Sequence, residues 1–161
     1  MNSILDAPVA TEQKLEYAGF WIRFVAALID GIILGVVNMV LSFALIGGGM
    51  GMSMAASDGD IGSFGMMFAV YYIIVIGVQV AYYALMESSA RQATLGKMAV
   101  GIKVGNEQGG RISAMNAVGR YFAKIISTLI LLIGYIMAAF DVRKQALHDK
   151  IASTVVFYSN Q

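Results

Sequence analysis

The sequence predicts an all-α membrane protein, and three observations carry that expectation. Of its 161 residues, 58% are hydrophobic and only 13% are charged, whereas soluble domains run at roughly 45–50% and about 25%. Mean hydropathy is +0.72. Two apolar segments, Trp21 to about Ile46 and about Met66 to Met86, reach the roughly 20 residues that a helix needs to cross a bilayer. A third apolar segment, within residues 114–140, either crosses fully or re-enters as a hairpin near Gly134. A small cytoplasmic β-hairpin and a surface helix complete the expected fold.

The chain divides into an N-terminal tail, residues 1–17, and one membrane domain, residues 18–161. Its first twenty residues lack the basic start and apolar stretch of a cleaved signal peptide, so the first span is expected to serve as its own uncleaved signal. Thr11 to Tyr17 read as a short interfacial helix capped by Thr11. Phe20, Trp21 and Phe24 fall where an aromatic belt sits at a headgroup boundary. Past the first span, the Gly- and Met-rich residues 47–65 read as a mobile loop. Met50, Met52 and Met54 there have no Cys or His companions, which makes them loop filler rather than soft-metal ligands. Tyr71, Tyr72, Tyr82 and Tyr83 flank the second span as interfacial anchors, and Gln79 is its one amide.

A polar stretch, residues 87–120, follows. MAVGIKVGNEQGGRIS alternates weakly around a Gly-rich turn at Gly105–Gly110 and reads as strand–turn–strand. Ser113 is placed to cap the helix that begins near Ala114. Gly96–Lys97 is not a phosphate loop, because Met98 stands where Ser or Thr is required and Arg91 where Gly is required. The uncharged run Ile125 to Phe140 gives roughly 24 Å of helix, marginal for a full crossing. Arg120, Lys124 and Thr128 share i, i+4 spacing, so the first part of this segment is amphipathic, and Gly134 offers a break.

Loop charges bear on topology. Lys14 and Arg23 precede the first core, and no basic residue lies in 47–65. Arg91, Lys97, Lys103, Arg111 and Arg120 follow the second span, and Arg143, Lys144 and Lys150 lie in the tail. The excess of basic residues on cytoplasmic loops places the N-terminus and residues 87–120 inside a bacterial plasma membrane and the acidic loop outside. A third crossing would export the basic tail, whereas a hairpin shielded by protein keeps it inside. Charge favours the hairpin, and length permits either.

Within this frame Arg23 and Asp30 stand out, since an ionisable group inside a span is costly unless paired. Seven residues set them roughly 10 Å apart along one face, with Arg23 leaning away from Asp30, so each needs a partner elsewhere. Asp141 and Asp149 are the candidates for Arg23. For Asp30 they are Lys124, Arg120, Asn38 or a proton, which makes it a proton or cation site; the structural alternative is a buried pair that pins helices together. Ala27, Gly31 and Gly35 form a small-residue row for close helix packing within the chain or in a homo-oligomer. In the tail, Val142 to Ile151 read as a surface helix and Thr154 to Tyr158 as extended. Arg143, Lys144 and Lys150 suit anionic headgroups.

With no cysteine, disulfides, thiolate metal sites and cysteine catalysis are excluded. His148 is the one histidine, so no imidazole metal cluster forms; beside Asp149 it reads as a surface histidine or a proton relay. No Ser-His-Asp spacing, defined carboxylate pair or phosphate motif supports an enzyme. No cofactor and no nucleic-acid partner are expected; the lipid bilayer is.

Three stretches, AGFWIRFVAALIDGIIL (18–34), TLGKMAVGIKVGNEQGG (94–110) and FDVRKQALHDKIASTVV (140–156), together resemble the RDD family of small membrane proteins, named for one arginine and two aspartates. The resemblance assigns the arginine to Arg23, the first aspartate to Asp30 and the second to Asp149, with Asp141 as the other choice. Thr94 and Lys97 match the family's Thr-x-Gly-Lys turn. It implies an integral membrane protein, for which ligand transport has been suggested; some members look like cation/proton antiporters.

Two functions of different class follow as expectations. In the first, Arg23, Asp30 and Asp149 form a polar site that moves a small cation or proton in an oligomer, with Asp30 titrating, Arg23 as its electrostatic partner, and Asp141, Lys97, Lys124 and His148 nearby. In the second, the same charges fix the fold of a non-transporting scaffold or assembly factor, whose cytoplasmic residues 87–120 and 141–161 bind a partner.

Overall fold

A computed structural model describes residues 15–55, 61–129 and 133–159. Helix α1 (Phe20–Ser42) passes through one turn of π-helix at Phe43–Gly47 into α2 (Gly48–Ala55). The glycine-rich stretch expected to be a loop is thus helical as far as Ala55, and residues 56–60 lie outside the described part. Away from water only an intact helix satisfies the backbone, so glycines that would break a soluble helix are tolerated. Helix α3 (Ile61–Ser88) is the second long apolar element. The runs Phe20–Gly51 and Phe64–Ser88 are each long and apolar enough to cross a membrane.

Short elements follow: α4 (Leu95–Ala99), β1 (Ile102–Asn106), α5 (Ala114–Leu129), α6 (Ile133–Phe140), α7 (Leu147–Ile151) and β2 (Thr154–Tyr158). Thr94 caps α4, its hydroxyl accepting from Lys97 N, and Ser113 Oγ accepts from Asn116 N at 3.1 Å to cap α5. The sheet has two strands, but it is not the expected local hairpin. β1 pairs antiparallel with β2, Ile102 opposite Tyr158 and Asn106 opposite Thr154. The chain turns after β1 around the Asn106 side chain, whose Oδ1 accepts from Gln108 N and Gly110 N. A side chain at Gly105 would stand 2.8 Å from the Gly110 carbonyl oxygen, so the return path is a tight loop rather than a strand.

The lead-in to α1 joins this sheet. Tyr17 bridges Phe157, Ala18 N donates to Val156 O at 2.9 Å and Tyr158 N donates to Glu16 O at 3.0 Å. Residues 15–17 are therefore extended rather than the end of an interfacial helix, and Thr11 to Lys14 lie outside the described residues. A small apolar core, including Ala26, Ala84, Ile102, Val104, Ala117 and Val156, seals the sheet against the helix ends.

Of the third apolar segment, α5 is described to Leu129 and α6 from Ile133, and Gly134, where the break was expected, lies in α6. Residues 130–132 lie outside the described part. Arg120 near the start of α5 contacts Asp149 of α7, so the tail returns to the end from which α5 departs. The tail helix is shorter than expected, beginning at Leu147, and its His148 and Asp149 are buried rather than at the surface.

Polarity is inverted relative to a soluble protein. Trp21, Leu28, Ile32, Val36, Val40 and Phe43 of the first helical run, and Met66, Ile73 and Leu85 of α3, are exposed. Asp30, Glu87, Arg120 and Asp149 are buried. In α5 the inward row is Ala117, Arg120, Ala123 and Ser127, while Met115, Phe122, Ile125 and Ile126 face out. Water would reject such large apolar surfaces, whereas lipid accepts them and drives the charges inward to pair. The chain is an integral membrane protein.

Candidate functional site

The buried charges form two adjoining groups at the end of the helices that carries the sheet. The first is centred on Asp149. Its Oδ2 is ion-paired with Arg23 Nη1 and accepts from Ala146 N at 3.0 Å. Arg120 Nη2 lies 2.5 Å from Oδ1. Arg23 Nε donates to Ala18 O at 2.9 Å, locking its orientation. Of the two aspartates offered by the sequence, Asp149 takes Arg23. Asp141 instead organises the turn after α6, accepting from Arg143 N and Gln145 N, each at 3.1 Å, and pairing with Lys150.

Glu87, at the end of α3, extends the network. Its Oε1 is paired with Lys97 and lies 3.3 Å from Lys124 Nζ; its Oε2 lies 3.6 Å from Arg120 Nη1. Lys124 also sits over the Tyr83 ring, 4.1 Å from its centroid. One continuous chain of charges thus runs Arg23, Asp149, Arg120, Glu87, Lys97 and Lys124, joining α1, α7, α5, α3 and α4.

Asp30 forms the second group, held by hydroxyls and a backbone amide. Its Oδ1 accepts from Tyr82 Oη at 2.7 Å and from Gly96 N at 2.8 Å, and its Oδ2 accepts from Thr94 Oγ1 at 2.6 Å. Tyr82 Oη in turn accepts from Leu95 N at 3.1 Å. The inward row of α1 is Ala26, Asp30 and Leu34, and α4 lies directly on it. A β-carbon at Gly96 would stand 2.2 Å from Ala26 O and 2.9 Å from Asp30 Cγ, so only glycine permits this approach. Ala27, Gly31 and Gly35 face outward instead, with nothing within 4 Å of a β-carbon built on either glycine. Among the described residues the small-residue row is therefore not used for packing.

Electrostatics follow from burial and neighbours. Burial pushes the Lys97 ammonium down to about 7, against the Glu87 carboxylate that favours its charge. Burial opposes the Asp149 charge, but Arg120 and Arg23 outweigh it and hold the carboxyl well below the usual range. His148 Nε2 lies 3.5 Å from Asp149 Oδ1. Burial pushes its imidazole down to about 3, more than Asp149 restores, and Arg120, Lys124 and Arg23 add to the lowering. It is a neutral buried group at pH 7, not a surface histidine.

Sequence reasoning missed Glu87 and gave Arg120 only a minor part. The signal was present: Glu87 directly ends an apolar span and is the only acid between Asp60 and Glu107, among the basic residues that follow. Tyr82 was read as an interfacial anchor, yet its hydroxyl serves Asp30.

The RDD family profile matches residues 17–153. An uncharacterised protein of Bacillus subtilis (strain 168), YxaI, is 42% identical over 147 residues, covering 88% of this chain and 97% of that protein. An uncharacterised membrane protein of the same organism, YteJ, is 36% identical over 148 residues, covering 88% of this chain and 81% of that one. No solved structure matches. On the extent of the profile match and these identities, the chain belongs to the RDD family.

Proposed function

We propose that the chain is a membrane-anchored scaffold. Its spanning helices hold the sheet and the α4 and α7 elements at the cytoplasmic face of a bacterial plasma membrane, where residues 87–120 and 141–161 engage a partner. One observation carries this reading: among the described residues the buried charges cluster toward a single end, where all but Asp30 are tied to one another. The remaining length of both spanning runs, residues 31–55 and 61–86, contains no charged residue. One copy thus offers no charged stepping stones across an apolar layer, as carriers of ions and protons usually do.

A second reading, exchange of a small cation for protons by an oligomer, has its own support. A lysine near neutrality beside Glu87 suits proton release close to pH 7, and the outward row Ala27, Gly31 and Gly35 suits approach of a second copy. Proteoliposomes with a lumenal pH dye separate the two on addition of Na⁺, K⁺ or Li⁺. The scaffold gives no cation-dependent signal above protein-free vesicles. A wild-type signal lost in Asp30→Asn establishes exchange and overturns the scaffold.

A further inference from the structure

The tail carries three cations, and the structure commits two of them. Arg143 lies 3.4 Å from Glu107, and Lys150 is paired with Asp141. Lys144 has no carboxylate partner among the described residues. Its backbone is held at φ +50°, an uncommon conformation for a side-chain-bearing residue, and its N–H donates to Asp141 O at 3.0 Å. This turn directs the side chain back over the start of α1, with Nζ 3.7 Å from where a β-carbon on Gly19 would stand.

Beneath Lys144 runs a groove of about 530 Å³ between the start of α1 and the end of α6. Its walls are mostly apolar, formed by Phe20, Trp21, Ile22, Val25, Ala138 and Ala139, with Tyr158 beside them. Beside it Trp21, Phe140 and Val142 are 74%, 86% and 95% exposed. Large apolar side chains at such exposure next to a cation mark a headgroup boundary, where aromatic residues and lysines anchor together.

We infer that this groove is a site for one anionic phospholipid, with an acyl chain on the apolar wall and the phosphate on Lys144. Charge and shape argue for that occupant together. The groove's wall on the spanning helix includes the exposed side chains of Trp21 and Val25, so its natural occupant is a hydrocarbon chain. An ammonium with no carboxylate partner among the described residues selects a negative headgroup over a zwitterionic one. The site is separate from the Asp149 and Glu87 network and stands whether that network serves a scaffold or an exchanger.

Native mass spectrometry of the full chain with phosphatidylglycerol or phosphatidylcholine of matched acyl chains tests it. Wild type is expected to retain phosphatidylglycerol about fivefold more strongly, the preference one lysine near a membrane surface supplies. Lys144→Gln should bring the two lipids to parity, and Lys103→Gln should leave the preference intact. Val25→Trp, which fills the groove from its exposed side, should lose the bound lipid with helicity unchanged. Equal retention by wild type, or a preference that survives either Lys144→Gln or Val25→Trp, overturns the proposal. Displacement of the lipid by soluble glycerol phosphate would also overturn it, since the headgroup alone would then be the ligand.

Discussion

Arg23 and Asp149, 126 positions apart in the chain, meet in a buried ion pair. The same carboxylate takes Arg120 from α5 and the Ala146 N–H that begins α7. One aspartate thus ties the first spanning helix, the third apolar segment and the tail into one unit, and pulls β2 into register beside β1. Glu87 does the same for α3, α4 and α5. Each cation left alone there would be a buried charge without compensation, which is why the pairs hold so many elements together.

The Asp30 site gives a graded expectation. Tyr82→Phe removes donors and acceptors at once, since the hydroxyl donates to Asp30 and accepts from Leu95 N. Thr94→Ala removes the bond to Asp30 and the cap of α4. Each should lower stability by about 1–3 kcal/mol, the range for a buried hydrogen-bonding group left unsatisfied. Thermal unfolding followed by circular dichroism in detergent checks both.

Glycines offer a sharper contrast. Gly96→Ala forces a β-carbon onto the Ala26 carbonyl and the Asp30 carboxyl, so α4 must lift from α1, at a cost of about 1–3 kcal/mol for an overpacked site. Gly31→Ala meets nothing among the described residues and should shift stability by no more than about 0.5 kcal/mol either way in a monomer. Equal midpoints for wild type and Gly96→Ala would show that α4 does not rest on α1 as described.

Acid should weaken the fold in a defined window. His148 is held neutral down to about 3 against an ordinary 6.5. Between those values the unfolded chain binds a proton that the folded chain does not, so stability falls as pH drops. Asp149, lowered from 3.8, acts in the same direction below its ordinary value. His148→Gln should flatten the stability profile between about pH 6.5 and 4 while leaving the steeper loss below. Lys97, lowered from 10.5 to about 7, gives stability that rises with pH between those values. Lys97→Met should remove that rise.

The two long apolar helices and the need of Arg23 for Asp141 or Asp149 were legible from the sequence, because they rest on apolar length and on an ionisable residue inside a span. That Asp30 lies in a group of its own, apart from the Arg23 pair rather than joined to it in one site, was not. What was not legible depends on contacts distant in sequence. β1 finds its partner about fifty residues later because the Asn106 turn closes the local route, and periodicity carries no information about that. Asp30 finds neutral hydroxyls and a backbone amide because Gly96 lets α4 approach within bonding distance; charge counting alone looks for a cation. Glycines 47–51 were read with the rules of an aqueous loop, which do not hold where the backbone has no water to bond.

The measurement that bears most directly on the ion-pair network is the stability of Asp149→Asn beside Arg23→Met in the same detergent at neutral pH. If Asp149 is the junction, its neutralisation takes the ion-pair partner from Arg23 and leaves Arg120 to Glu87 alone, and about 3–5 kcal/mol is lost. Arg23→Met leaves the Asp149–Arg120 pair intact and should cost clearly less. An Asp149→Asn protein that unfolds within about 1 kcal/mol of wild type, in the range of an exposed pair, would contradict the claim that these charges hold the fold together.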